Sequence, residues 1–118
     1  SSDVCSSDLI KVTAKSILEN LQPGNLMARI NGGLFLVITH MDKKTLLLNW
    51  ANKLNLVIQQ STIPDYEELF LKIGIGGVIA KSGEDIEGIY RVLEEELKNS
   101  RNVAINISVR EYKSFKEV

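Results

Sequence analysis

The chain has one cysteine, one histidine and one tryptophan among its 118 residues. Cys5 has no partner for an internal disulfide, and one thiol does not make a metal site. A catalytic cysteine needs a base held close to it, and His40 is the only histidine. Cys5 is therefore read as an incidental thiol. Charge of one sign is also missing: 14 basic residues against 15 acidic ones leave a net charge of −1. That balance offers no electrostatic footprint for nucleic acid or an anionic membrane. No apolar run approaches about 18 residues, so no membrane-spanning helix is expected. A basic start followed by an apolar stretch and a cleavage site is absent as well, which makes the cytoplasm the default location. No internal repeat of about 20–50 residues is visible. What remains is a length suited to one domain and a 44% hydrophobic composition able to build a core.

Ser1 to Leu9 carries the triplet Ser-Ser-Asp twice and no apolar periodicity. It reads as a tail foreign to the fold and is similar to a translated sequencing adaptor, so the natural chain is expected to continue upstream with other residues. From Ile10 to Leu21 the apolar residues Ile10, Ala14, Ile17, Leu18 and Leu21 fall at helical spacing. Gln22-Pro23-Gly24-Asn25 ends that helix. Two apolar runs follow, Leu26 to Ile30 and Leu34 to Ile38, with Asn31-Gly32-Gly33 between them. An Asn-Gly pair in that position predicts an antiparallel hairpin, because both residues tolerate positive φ. Asp42 is suited to cap the next helix, whose stripe is Leu46, Leu47, Trp50, Ala51, Leu54, Val57 and Ile58. After a loop containing Pro64 and Asp65, Leu69 to Ile75 reads as a strand, with a kink at Gly76-Gly77 before Val78 to Ala80. Ser82 or Gly83 opens a third helix with Glu84 and Asp85 in its first turn and Ile86, Ile89, Val92, Leu93 and Leu97 as its apolar face. Lys98 suits its negative end. Val103 to Val109 alternates as a half-buried strand does, and residues from Arg110 on read as a frayed tail that Tyr112 and Phe115 are able to dock. The order helix, strand, strand, helix, strand, helix, strand implies one sheet covered by helices, an α/β sandwich of ferredoxin-like type.

The stretch Ala28-Arg29-Ile30-Asn31-Gly32-Gly33-Leu34-Phe35-Leu36-Val37-Ile38 resembles the central hairpin of the GGDEF, or diguanylate cyclase, family. Aligned on Arg29 and Phe35, the five signature positions are Asn31, Gly32, Gly33, Leu34 and Phe35. Lys72-Ile73-Gly74-Ile75-Gly76-Gly77-Val78 is similar to the family's Ser-Ile-Gly strand, and Leu93 through Arg101-Asn102 to its closing helix and Gly-Arg-Asn end. The resemblance covers roughly Ile10 to Ser108 and implies a degenerate GGDEF domain between Ile10 and Val109, flanked by a tail at either end, with the palm-type sheet of nucleotide cyclases and its first strand missing.

Active members bind GTP through two metal ions held by carboxylates from the first strand and from the hairpin. This chain departs at those positions. Gly33 stands for the first hairpin acid and Leu34 for the metal-binding glutamate, and neither offers the oxygen that a hard cation demands. Asn31 replaces the first glycine, and Leu97 falls where a phosphate-binding lysine is usual, with Lys98 one residue away. The family's inhibitory product site, Arg-x-x-Asp, maps onto Gln22 and Asn25, so its fork and its charge are both gone. The resemblance therefore implies a catalytically inactive regulatory domain of a bacterial cyclic di-GMP signalling protein. It needs no cofactor, although relatives use GTP and Mg²⁺, and binds GTP weakly at most. Its partners are neighbouring sensor or phosphodiesterase domains or a second copy, and nucleic acid is not among them. Two other readings are an active cyclase or other nucleotide-handling enzyme, with acids supplied from elsewhere, and a ferredoxin-like module unrelated to cyclases.

Further candidates read as structural. His40 and Asp42 lack a third metal ligand. Trp50 falls on an apolar stripe, suited to a core or an interface. Glu94-Glu95-Glu96 reads as a solvated helix face. Gly74, Gly76 and Gly77 have no Lys-Ser/Thr after them and make no phosphate loop.

Overall fold

The apolar spacing read from the chain becomes helices and strands in the computed structural model, which describes residues 6–63, 67–68 and 71–113. Expectations for Cys5, Pro64, Asp65, Leu69 and Phe115 lie outside the described residues. The order is α1 (Ser6–Glu19), β1 (Leu26–Asn31), β2 (Leu34–Ile38), α2 (Lys44–Gln60), β3 (Ile75–Ile79), α3 (Ile86–Ser100) and β4 (Ile107–Glu111). This is a mixed α/β chain with the expected succession of elements. The single expected sheet is not formed. Instead β1 pairs with β2 antiparallel and β3 with β4 parallel, and no described strand carries the ladder from one pair to the other.

The chain divides into two compact units. One comprises the residues up to His40 together with Leu54–Lys72. Here α1 begins at Ser6, so residues 6–9 of the expected tail are helical, with Asp8 in the first turn where the helix dipole favours an acid. Ile17 is buried, and so are Thr13 and Ser16. Those two hydroxyls are satisfied within the helix: Thr13 Oγ1 donates to the Leu9 carbonyl at 2.9 Å and Ser16 Oγ to that of Val12 at 2.8 Å. Leu54, Ile58, Ile63 and Leu71 are the other buried apolar residues among the described residues of this unit. The hairpin runs in register from Leu26 opposite Ile38 to Asn31 opposite Leu34, with an irregularity between Arg29 and Asn31. Gly32 takes φ +34°, on the positive side where a Cβ is strained.

The second unit comprises Met41–Lys53 and the residues from Ile73 on. Two helical segments cover opposite faces of the β3–β4 pair. On one face Ala51, Leu47 and Leu48 of α2 pack with Ile75, Ile107 and Val109. On the other lies α3. Of the strand expected from Leu69 to Ile75, the described residues 71–74 lie outside any ladder, and β3 starts at Ile75 and continues through Gly76-Gly77 where a kink was expected. The reason lies in α3: a Cβ on Gly76 would collide with the backbone of Glu96 and Leu97. The glycine is there because helix and strand backbones meet with no side chain between them.

Local chemistry explains the remaining shifts. Asp85 is the N-cap of α3, not a residue of its first turn, and its carboxylate accepts from the Glu87 and Gly88 amides. Ser82 and Gly83 therefore precede the helix, Gly83 at φ +87° in a turn. Ile86, expected on the apolar face, is 80% exposed at the first helical position. The first hydrogen bond of α2 runs from Leu47 N to the Lys43 carbonyl, so Asp42 lies one residue outside the cap position. Leu46 is exposed despite its place on the expected stripe. The last strand is Ile107–Glu111, not Val103–Val109: Asn106 at φ +58° turns the chain, and its carbonyl accepts from Ile75 N at 2.9 Å to start the ladder. Val103 and Ile105 are exposed before that turn, whereas Arg110 and Glu111, expected in a tail, belong to β4. Tyr112 is half-buried, and its amide donates to the Ile79 carbonyl at 2.7 Å.

Gly76→Ala is expected to destabilise the protein by about 1–3 kcal/mol or more, because two backbones have to separate. Gly33→Ala, with nothing within 4 Å of an added Cβ, is expected to stay within about 0.5 kcal/mol of the parent. Urea denaturation midpoints check both. Equal shifts would contradict the packing described for Gly76.

Candidate functional site

Pairing of the two apolar runs brings the five signature-like positions to one end of the hairpin. Asn31 closes β1 opposite Leu34, and Gly32-Gly33 form the turn. Asn31, Gly32 and Gly33 are exposed, and no atom lies within 4 Å of where either glycine would carry a Cβ. Arg29 lies opposite Phe35, and its Nε donates to the Gly32 carbonyl at 2.7 Å. Leu34 and Phe35 are half-buried. The tip thus presents backbone, an amide and one guanidinium, with no carboxylate among residues 29–35. It has nothing to bind a divalent cation through charged oxygens.

The turn before β1 lies in the same unit. Asn25 N donates to the Gln22 carbonyl at 3.0 Å, and Gly24 takes φ +87° between them. Gln22 is exposed, whereas the Asn25 side-chain nitrogen is buried and has no hydrogen-bond partner. Asn25 therefore withholds that donor from a ligand in solution. His40 Nε2 lies 3.2 Å from the Gly24 carbonyl, so its ring braces this turn. Among the described residues no three His, Cys, Asp or Glu side chains are grouped to hold a metal ion. Asp42 is exposed, and Trp50 is half-buried on α2.

In the second unit, Leu97 is half-buried, with its backbone against Gly76, and Lys98 is exposed in the last turn of α3. Arg101 and Asn102 are exposed just beyond it. The acidic triplet needs a correction. Glu94 and Glu95 are solvated as expected, but Glu96 is only 3% exposed. Its carboxylate accepts from Ser108 Oγ at 2.7 Å, from Asn99 Nδ2 at 3.1 Å and from Arg110 at 2.7 Å. Burial pushes the Glu96 carboxyl pKa up, but the hydrogen bonds from Ser108 and Asn99 and the charge and hydrogen bond of Arg110 outweigh it, leaving the group below its ordinary value.

Two patterns in the sequence point to this cluster. Ile89, Val92, Leu93, Glu96 and Ser100 follow helical spacing, so Glu96 lies on the buried stripe. Ser108 and Arg110 alternate with Ile107 and Val109 and so share the other strand face. The arrangement is a structural clasp between α3 and β4. It has no open position for a substrate, since each partner belongs to the protein.

No protein-family model and no curated protein matches this chain.

The clasp makes stability depend on acid. A carboxyl depressed in the folded state contributes stability that is fully present above its unfolded pKa of about 4.3 and is lost as pH falls through the lower folded value. Glu96→Gln is expected to lower stability by about 1–3 kcal/mol at neutral pH, by removing the charge that pairs with Arg110 and turning one of the two buried acceptor oxygens into a donor. It is also expected to flatten the loss below about pH 4. Urea denaturation of both proteins across the acid range measures this. Parallel losses would show that Glu96 is not the responsible group.

Proposed function

We propose that this chain is a degenerate GGDEF-like domain of a bacterial cyclic di-GMP signalling protein, without cyclase activity, which serves a neighbouring domain or a second copy as a regulatory module. The observation that carries this reading is the hairpin tip. Arg29, Gly32 and Phe35 keep the pattern of the family's signature hairpin, while Gly33 and Leu34 occupy the two positions where its acids hold metal. A triphosphate brings several negative charges, and a site that activates it needs cations fixed by carboxylates. The single guanidinium of Arg29, already bonded to the Gly32 carbonyl, does not replace them. GTP binding at such a tip is weak at most.

The finer fold belongs to the same proposal. In the ferredoxin-like sheet of the family the first strand is central. The order of helices and strands supports this reading, since it follows the family's order from the helix before the hairpin onward. In the family's order that strand comes before the helix that leads into the hairpin. A natural reading frame with an Asp-x-Asp-x-Phe strand there would favour this assignment over a ferredoxin-like module unrelated to cyclases.

Incubated with GTP and Mg²⁺ or Mn²⁺ and followed by chromatography, the purified chain is expected to yield no cyclic di-GMP above a protein-free blank. Product that appears, and is abolished by substitutions in Asn31–Phe35, would overturn the inactive reading in favour of an active nucleotide-handling enzyme.

A further inference from the structure

We propose that Asn31 is a site of spontaneous covalent modification, converted to aspartate and isoaspartate through a cyclic imide closed by the Gly32 backbone nitrogen. Of the nine asparagines, Asn31 alone is followed by glycine. The inference rests on that pair and its place in the hairpin, independently of the GGDEF-like reading.

The chemistry needs only water. The Gly32 amide gives its proton to hydroxide and its nitrogen bonds to Asn31 Cγ. The Cγ–N bond to the side-chain nitrogen then breaks, and that nitrogen takes a proton from water and leaves as ammonia, which returns the hydroxide. Water adds to one of the two imide carbonyls and breaks one C–N bond. Opening at Cγ restores the main chain with an aspartate, and opening at the backbone carbonyl leaves isoaspartate, with Cβ inserted into the main chain. No oxidant or reductant takes part.

Three features favour the attack at this position. Asn31 and Gly32 are both exposed, and no atom lies within 4 Å of where a Cβ on Gly32 or Gly33 would sit, so the side of the turn where an imide forms is uncrowded. A residue without Cβ presents an unhindered nitrogen and has the widest choice of backbone angles. Asn31 also holds the last rung of the ladder, next to the irregularity between Arg29 and Asn31, so beyond that rung and the exposed bond from Arg29 Nε to the Gly32 carbonyl few bonds oppose the rotation. Each of the other asparagines lacks at least one of these features. Asn49, Asn52 and Asn55 lie within α2, where the helical ladder fixes the backbone. The side chains of Asn20, Asn99 and Asn106 donate to the Ser16 carbonyl, Glu96 and the Ser100 carbonyl. Asn25 and Asn102 have their own amides bonded within turns. All eight are followed by residues bearing a side chain.

The product changes the tip in a defined way. A carboxylate appears two residues from Arg29, whose Nε already reaches the Gly32 carbonyl. In the isoaspartate form the extra main-chain atom lies across the rung from Asn31 to Leu34 and lengthens one strand against the other.

Age the folded chain in mildly alkaline buffer and map its peptides by mass spectrometry with a separation that resolves isoaspartate. The expected result is a mass gain of about one dalton at Asn31, as a mixture of both isomers. It should form about tenfold faster than at any other asparagine. Heavy-oxygen water should enter the new carboxylate, Gly32→Ala should slow the gain, and Asn31→Gln should abolish it there. If Asn31 stays intact while the denatured chain converts at that position, or converts no faster than Asn99, the proposal is wrong.

Discussion

At Gly76 the backbone of α3 rests on the backbone of β3, and the rest of that unit follows from this approach. The closeness fixes Glu96 on the inner side of the helix. The parallel register sets Gly76 beside Ser108 and Val78 beside Arg110, so Ser108 and Arg110 face the same helix. Glu96 is thereby brought within 2.7 Å of each. A carboxylate in that position needs all of its acceptor capacity met, because an unpaired buried charge is costly. Asn99, one turn along α3, supplies the further donor. On the opposite face the strands keep an ordinary apolar layer with α2, made by Ala51, Ile107 and Val109. One face of the strand pair is thus held by packing alone and the other by packing with a charge network.

The hairpin obeys a different constraint. Its tip is built from what a tight turn needs, a glycine at positive φ and a side chain–backbone bond from Arg29, and carries no acid. Fold and chemistry separate here, since a hairpin of this sequence forms whether or not a metal has ever bound to it. This is why the functional reading depends on Gly33 and Leu34, two side chains that lack oxygen, more than on the shape of the turn.

Much of the fold was legible because periodicity reports burial. The order of elements, the antiparallel hairpin and its glycine turn followed from local pattern and turn chemistry. The misplaced boundaries share one cause, since each was set by a tertiary contact or a cap that pattern alone does not weigh. Gly76-Gly77 looked like an interruption of a strand until α3 was placed over it. Asp85 had the composition of a first-turn residue and the geometry of a cap. Arg110 read as tail because its partner lies in α3, 14 residues earlier at Glu96. Of the candidate site, the positions at the hairpin tip were legible and the buried carboxylate was not. A run of three glutamates invites a solvent reading, although helical spacing already distinguished the third from the other two.

The clasp is tested most directly by a double-mutant cycle between Glu96→Gln and Arg110→Met, read by urea denaturation at neutral pH. Close packing of α3 on β3 and β4 predicts that the two changes are coupled, with the pair less destabilising than the sum of the singles by about 1–3 kcal/mol. Additivity within about 0.5 kcal/mol would mean that the carboxylate and guanidinium do not meet in solution. It would also contradict the placement of α3 on which this description of the unit rests.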